Sequence, residues 1–308
     1  MNILGKRYIL FGFSLLIIIP GLVIMFTRGI PLSIDFKGGS LLEVKFDAAQ
    51  PAPGEILEVY ETSGIKDSQV QTSDTGSFII RSEFMQNETR DAALTALTAR
   101  FGKLEIVRFD SVGPSIGEQV TSRGTLAVIV SSLLVVLFIA WSFRGVQNAF
   151  RYGICAILAM IHDVAIIFAI TAYGSLLFGW EIDALFLTAL LTVIGFSMQD
   201  TIVVFDRIRE NLVVYRRLDY ETVVNHSIVQ TLDRSINTQL TVMFTLLALT
   251  LFGGVTIRHF VLTLLIGVFS GTYSSIFNAA QLLVVWENRE WTTWFRRKPT
   301  KPAKPATA

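Results

Sequence analysis

Six long runs of mostly apolar residues dominate this sequence and restrict the folds open to it. A helix needs about 20 such residues to cross about 30 Å of hydrocarbon. The runs are residues 8–27, 124–142, 152–171, 182–205, 238–252 with its flanks, and 260–286. The first run is too long for a signal-peptide core and lacks a small-residue cleavage site. The sequence therefore predicts a polytopic α-helical membrane protein with six transmembrane helices.

The composition excludes most soluble enzyme classes. Only 17% of the 308 residues are charged and 52% are hydrophobic, whereas a soluble domain carries about 25% charged residues. The single cysteine, Cys155, rules out an internal disulfide and a cysteine-based zinc site. No Walker A motif is present, and the histidines at 162, 226 and 259 lack a chelating spacing. We predict no catalytic residue, no metal and no cofactor, and hence no enzyme.

Basic residues cluster at alternate ends of the predicted spans, which sets the orientation. They lie at 6–7, 144–151, 207–234 and 289–304. We therefore expect both termini in the cytoplasm of a bacterium, a multi-pass location in the inner membrane, and residues 29–122 outside. The predicted organisation is a cytoplasmic N-terminus with helix 1 (1–28), a periplasmic α+β domain (29–122), helices 2–6 (123–288) and a basic, disordered cytoplasmic tail (289–308).

The outer segment has the pattern of a small folded domain. Apolar and polar residues alternate in its predicted strands, and Pro53 and Gly102 suit a helix start and a helix end. The predicted order is strand 42–46, helix from 53, strand at 70, turn 74–76, strand 78–80, helix 89–101 and strand 104–112. This β-α-β-β-α-β order is ferredoxin-like. With 14 acidic and 8 basic residues, its charge suits either solubility or a binding face for a partner.

Ionisable residues at membrane depth are the candidates for function. Each costs about 2.5–3.5 kcal/mol at a helix centre, so it is retained when it is paired or useful. Asp200 has no basic residue in its own span. Each of the others also has a structural interpretation: His162 and Asp163 as a polar pair that joins helices, Asp206 as a solvated cap, and Arg234 as an interfacial residue.

An aspartate and an arginine near one another can couple ion flow to movement. A carboxylate in the membrane can take up and release a proton, and an arginine stays charged at all accessible pH values. A change in their separation changes the affinity of the carboxylate for the proton. Asp200 and Arg234 are the pair that the sequence offers for this chemistry.

Several motifs together resemble one family, the SecF proteins of the bacterial SecD–SecF export complex, in the resistance-nodulation-division superfamily. The resemblance runs from the first span to the sixth. The matching motifs are IDFKGG with Asp35, Gly38 and Gly39; GPSIG with Gly113, Pro114 and Gly117; His162-Asp163; DTIVVFDRIREN from Asp200, with Asp206 and Arg207; QTLDRSI with Arg234; and LFGG.

The resemblance implies a function and partners. It implies an auxiliary subunit of the Sec translocase that, with SecD, uses the proton or sodium motive force in late steps of preprotein translocation. Asp200 and Arg234 would conduct the ion, and His162 and Asp163 would either join that pathway or form a polar pair within the bundle. The implied partners are SecD, the SecYEG translocon, YajC, the preprotein and membrane lipid, without nucleic acid.

Two departures from the family pattern leave the coupling ion open. Gln199 stands where asparagine is common, and Ser235 stands where threonine is common. Two other functions also stay open. One is a stand-alone small-molecule or lipid exporter of the same superfamily, and the other is a passive scaffold for translocon subunits.

Overall fold

The structure is a computed structural model that describes residues 4–47, 50–73, 76–144 and 148–290. It divides into two compact units. One comprises Ile30–Ile129 and Gly179–Leu187, and the other comprises the described residues before 30, of 130–178 and from 188 onwards. Residues 74 and 75 of the predicted turn at 74–76, and all of the predicted tail beyond residue 290, lie outside the described residues.

The elements follow one another in a simple order. They are α1 (Arg7–Arg28), α2 (Ile34–Lys37), β1 (Gly39–Phe46), α3 (Pro53–Thr62), β2 (Gln69–Thr72), β3 (Phe78–Ser82), α4 (Asn87–Phe101), β4 (Leu104–Val112), α5 (Pro114–Ser142), α6 (Ala149–Phe178), α7 (Ala184–Val214), α8 (Tyr220–Phe252), α9 (Val255–Ser274), a π-helical segment (Ser275–Ala279) and α10 (Ala280–Glu287). A 3₁₀ turn, Leu4–Lys6, precedes α1.

The six predicted spans are confirmed as helices long and apolar enough to cross a membrane. The sixth is a continuous run of α9, the π-helical segment and α10. Since a hydropathy pattern detects only the apolar part of a helix, most helix ends extend beyond the predicted runs, whereas α7 begins at Ala184, two residues after its predicted start. Helix α8 begins at Tyr220, where the Asp219 carboxylate accepts a hydrogen bond from the Thr222 N–H at 3.0 Å. Arg207 and Arg234 lie between the predicted fourth and fifth spans, and the structure places them inside α7 and α8.

The unit that contains the strands has the predicted ferredoxin-like fold. Its sheet has the order β2-β3-β1-β4, and every neighbouring pair is antiparallel. Helices α3 and α4 supply the crossovers of the β-α-β-β-α-β order. Apolar side chains from both helices and the sheet form one core, with Leu42, Val44, Ile56, Ile80 and Leu97 buried at its centre.

Tyr60 lies within this core, and its hydroxyl has no hydrogen-bond partner among the described residues. Burial raises the pKa of Tyr60 above its ordinary value. Since an unpartnered buried hydroxyl costs free energy, we expect Tyr60→Phe to keep the free energy of unfolding or raise it by about 1 kcal/mol. Tyr60→Ala should lower it by about 3–5 kcal/mol, because it leaves a cavity.

Denaturant-dependent proteolysis of the full chain in detergent measures both changes, with wild type as the reference. An equal loss of stability in the Phe and Ala variants would mean that the hydroxyl has a partner and contributes to the core.

Candidate functional site

Asp163 lies at the centre of a buried polar cluster. Its side chain is fully buried in α6 and accepts hydrogen bonds from Ser270 at 3.0 Å, from Ser274 at 2.6 Å and from Ser197. His162 Nδ1 lies 3.2 Å from Asp163 Oδ1. Three helices, α6, α7 and α9, thus place polar groups on one carboxylate, and both of its oxygens have partners.

Small residues let these helices approach closely. A Cβ atom at Gly271 would lie 3.1 Å from the Ser197 Cβ, and one at Gly267 would overlap Val193. The two glycines form a small-xxx-small motif on α9, whose usual role in membranes is close helix packing. This packing brings the serines of α7 and α9 within reach of Asp163.

The Asp163 cluster has the features of a structural polar contact. No lysine or arginine within the described ranges forms an ion pair with it, yet its oxygens are satisfied by hydroxyl groups and by His162. Such a cluster holds helices together because separation would leave a carboxylate unpaired in the membrane. Of the two interpretations of His162 and Asp163, the geometry favours the polar pair within the bundle.

Asp200 differs because only part of its carboxylate is satisfied. It is 7% exposed on α7, and its Oδ1 accepts a hydrogen bond from Ser235 of α8 at 2.5 Å. Its Oδ2 is buried and has no hydrogen-bond partner in the described part of the chain. Asp200 therefore has unused capacity to accept a proton or to bind a cation, which Asp163 lacks.

Arg234 precedes Ser235 on α8 and interacts electrostatically with Asp200. No ion pair within 4.0 Å joins the two side chains among the residues described. The side chain of Arg234 is exposed, as are Asn237 and Thr238 on the same helix. The structure thus brings the two predicted ion-conducting residues into electrostatic range, without direct contact.

Asp206 and Arg207 lie within α7, about two turns before the helix ends at Val214, and their side chains are partly exposed. Asp206 forms an ion pair with Arg209 at 2.6 Å, and Arg207 forms one with Glu210 at 3.0 Å. Exposed pairs of this kind contribute about 0–1 kcal/mol. Asp206 is therefore partly solvated, but it lies inside α7 and does not cap the helix.

The two glycine motifs meet in the unit that contains the sheet. A Cβ atom at Gly117 would lie 2.7 Å from the Gly38 backbone nitrogen, and one at Gly38 would lie 3.0 Å from the Pro114 Cα. Gly39 has φ +126° and leaves room for the Ser82 carbonyl, which a Cβ atom would approach to 2.7 Å. Both motifs therefore serve backbone-to-backbone packing, for which only glycine is small enough.

The GPSIG motif also begins a helix. Pro114 is the first residue of α5, where its fixed φ and missing N–H are tolerated. The Gly113 carbonyl accepts a hydrogen bond from the Gly117 N–H at 3.0 Å. One turn later, Thr121 donates a hydrogen bond to the Phe36 carbonyl at 3.1 Å, which attaches α5 to the IDFKGG segment.

Asp35 caps the helix that carries Asp200. Its carboxylate accepts a hydrogen bond from the Ala184 N–H at 3.0 Å, at the first residue of α7. Beside it, the Ser33 N–H donates to the Ile182 carbonyl at 2.9 Å. A carboxylate at a helix N-terminus satisfies a free N–H and is favoured by the helix dipole.

The serine partners of Asp163 and Asp200, and the contact between Thr201 and Ser275, were not predicted from the sequence. Ser197 donates a hydrogen bond to Asp163, Ser235 donates one to Asp200, and Thr201 bonds to Ser275 at 2.8 Å. The sequence carries no signal for these contacts, because they join side chains of different helices and depend on how the helices pack.

Comparison with known proteins identifies the family. The family profile described as "Protein export membrane protein SecD/SecF, C-terminal" matches residues 93–289. This chain belongs to the SecD/SecF family. A second profile, "SecD/SecF GG Motif", matches residues 23–50, which include the IDFKGG segment.

Relatives within the SecD/SecF family are similar over the full length. Protein translocase subunit SecF of Anaerolinea thermophila is 57% identical over 100% of both chains, and that of Thermobaculum terrenum is 47% identical over 100% of both chains. The crystal structure of SecDF from Thermus thermophilus, a translocon-associated membrane protein, superposes with a TM-score of 0.80 at 33% identity. The match covers 94% of this chain and 39% of that one.

The Gly39→Ala variant tests whether the backbone at Gly39 must lie close to the Ser82 carbonyl. The variant should lose about 2 kcal/mol or more of stability, because the new Cβ meets the Ser82 carbonyl at a positive φ. Gly54→Ala is the matched control, because it lies in α3 with open space around it and should be neutral or stabilising. Protease resistance of the purified full chain measures both, and equal resistance would contradict the packing argument.

Glu181 generates a prediction of pH dependence. Burial raises the pKa of Glu181, while Arg81, at 2.9 Å, opposes the shift. Because the pKa is raised in the folded state, Glu181 makes its full contribution to the free energy of unfolding below the ordinary value of 4.5. This contribution is lost as the pH rises through the raised value. Glu181→Gln should flatten this dependence in denaturant-unfolding midpoints measured across that range. An unchanged slope would show that Glu181 is not its source.

Proposed function

We propose that this chain is an auxiliary subunit of the Sec protein translocase that works with SecD. In this proposal it uses a proton or sodium gradient to promote late steps of preprotein translocation. Its full-length relatives are named protein translocase subunit SecF. We propose a transport role without catalysis of its own, a bacterial inner-membrane location and cytoplasmic termini.

The unused oxygen of Asp200 is the observation that carries the ion-coupling part of the proposal. The Oδ2 atom is buried and has no hydrogen-bond partner among the residues that the structure describes, while Oδ1 accepts a hydrogen bond from Ser235. Uptake of a proton or cation at Oδ2 would neutralise a charge that is costly inside a membrane. The energy available is about 2.3 kcal/mol for each elementary charge that crosses 100 mV.

Helix α8 supplies the element that can respond to this change of charge. Ser235 contacts Asp200, and Arg234 acts on it at longer range. Neutralisation of Asp200 weakens both interactions, since a hydrogen bond to an ionised acceptor is stronger than one to a neutral acceptor. We propose that α8 then shifts relative to α7 and that release of the ion restores the first position.

The exposed polar side chains of α8 support a membrane partner. Arg234, Asn237 and Thr238 are exposed in the isolated chain, and contact with lipid would be costly for each. A second membrane subunit would cover them. The single-chain SecDF relative, of which this chain matches 39%, supports SecD for that role, and we propose SecYEG, YajC and the preprotein as further partners.

Asp200→Asn tests ion coupling directly, because asparagine keeps the shape and one acceptor but does not titrate. We expect gradient-dependent export to fall about tenfold or more, as it would for a loss of about 1.4 kcal/mol of coupling energy. Asp206→Asn is the matched control on the same helix and should export as wild type does, because Asp206 is exposed. Wild-type export by Asp200→Asn would contradict the role of Asp200.

The nature of the complex distinguishes the proposal from a stand-alone exporter. We expect the chain, purified from native membranes, to bring with it a larger membrane partner in equal amount. A homo-oligomer without such a partner would favour an exporter of the same superfamily. A scaffold alone would keep full export in both Asp200→Asn and Arg234→Ala, provided that the outer domain is intact.

A further inference from the structure

Two buried amides in the sixth span have no hydrogen-bond partner in the described part of the chain. The side chains of Asn278 and Gln281 are 3% and 0% exposed. All four of their polar atoms lack a hydrogen-bond partner among the described residues. Buried side-chain amides in native proteins are bonded to protein or to ordered water, so these two positions require a partner other than the side chains that the structure describes.

The amides continue the polar face that begins at Asp163. Ser270 and Ser274 of α9 bond to Asp163, and Asn278 and Gln281 follow at spacings of four and three residues. Such spacings keep side chains on one face of a helix. A polar stripe thus runs along the sixth span from the Asp163 cluster into α10.

The helix changes geometry within this stripe. Ser275–Ala279 is π-helical, a rare geometry that occurs often at functional sites. Ser275, its first residue, bonds to Thr201 at 2.8 Å and donates to the Ser197 carbonyl at 3.2 Å. Because Thr201 is adjacent to Asp200 in sequence, the π-helical segment touches the parts of α7 next to both membrane aspartates.

We infer that Asn278 and Gln281 bind ordered water, and that this hydrated site is a step on the route of the coupling ion. An amide offers two donors and two acceptor positions, and a buried water needs two to four polar partners. Two amides one turn apart meet that need. The ion-carrying part of this inference rests on the proposed function, whereas the water site does not.

Cysteine accessibility to the silver ion tests the site, because Ag⁺ is a small cation that reacts with thiolates. In a Cys155→Ala chain, which contains no other cysteine, single variants Asn278→Cys and Gln281→Cys should react at least about tenfold faster than Ala279→Cys and Ala280→Cys. The two alanines are equally buried on the same segment and are the matched controls. The extent of reaction is measured by unfolding the chain and adding a maleimide, which labels only the thiols that have not bound Ag⁺.

Two outcomes of the labelling would overturn the water site. One is an equal rate at all four positions. The other concerns the double variant Asn278→Leu/Gln281→Cys. Its apolar leucine, of the same shape as asparagine, should remove the shared water and slow the reaction of the cysteine about tenfold, so an unchanged rate would contradict the water site.

Export decides whether the ion uses the site. Asn278→Leu should lower gradient-dependent export about twofold or more, whereas Ile276→Leu, a volume-conserving change in the same π-helical segment, should not. Fast labelling with unchanged export in Asn278→Leu would overturn the ion route and leave the proposed function intact. Failure of the proposed function would give a different result. The Asp200→Asn variant would then export fully, while the cysteines at positions 278 and 281 would still react quickly with Ag⁺.

Discussion

A carboxylate inside a membrane must obtain hydrogen-bond donors from its own protein, and the helix bundle is built around this constraint. Asp163 receives hydroxyl groups from two other helices, which is possible only because Gly267 and Gly271 allow α9 to approach α7 closely. The small residues, the serines and the aspartate are therefore parts of one arrangement. Loss of any one of them would leave polar atoms of the cluster without their present partners, which is costly inside a membrane.

The same physical requirement separates a structural carboxylate from a functional one. Asp163 and Asp200 are both buried in membrane helices, so burial alone does not distinguish them. Hydrogen bonding does, because within the described ranges Asp163 has a partner at each oxygen, whereas Asp200 has one at Oδ1 alone. A group that must bind and release an ion needs such an incomplete set of partners, since a satisfied carboxylate gains little from a proton.

Topology and fold were predictable from the sequence because they depend on periodicity. The apolar runs predicted the six helices, and alternation in 42–46 and 104–112 predicted strands that the structure contains. Helix limits were less predictable, because the polar turns that carry Arg207 and Arg234 have no hydropathy signal. The partners of Asp163 and Asp200 were the hardest to foresee. The sequence around a serine in an apolar helix does not predict which neighbouring helix the serine will contact.

The glycine motifs show how a resemblance and a physical explanation complement each other. IDFKGG and GPSIG are separated by about a quarter of the chain, and neither predicts the other from sequence patterns alone. In the structure, Gly38 and Gly117 pack backbone against backbone, while Asp35 caps α7. One short segment thus holds the start of α5 and the start of the helix that carries Asp200. A change at either motif should therefore disturb the first turns of both α5 and α7. The two motifs thus have a structural role that is separate from ion binding.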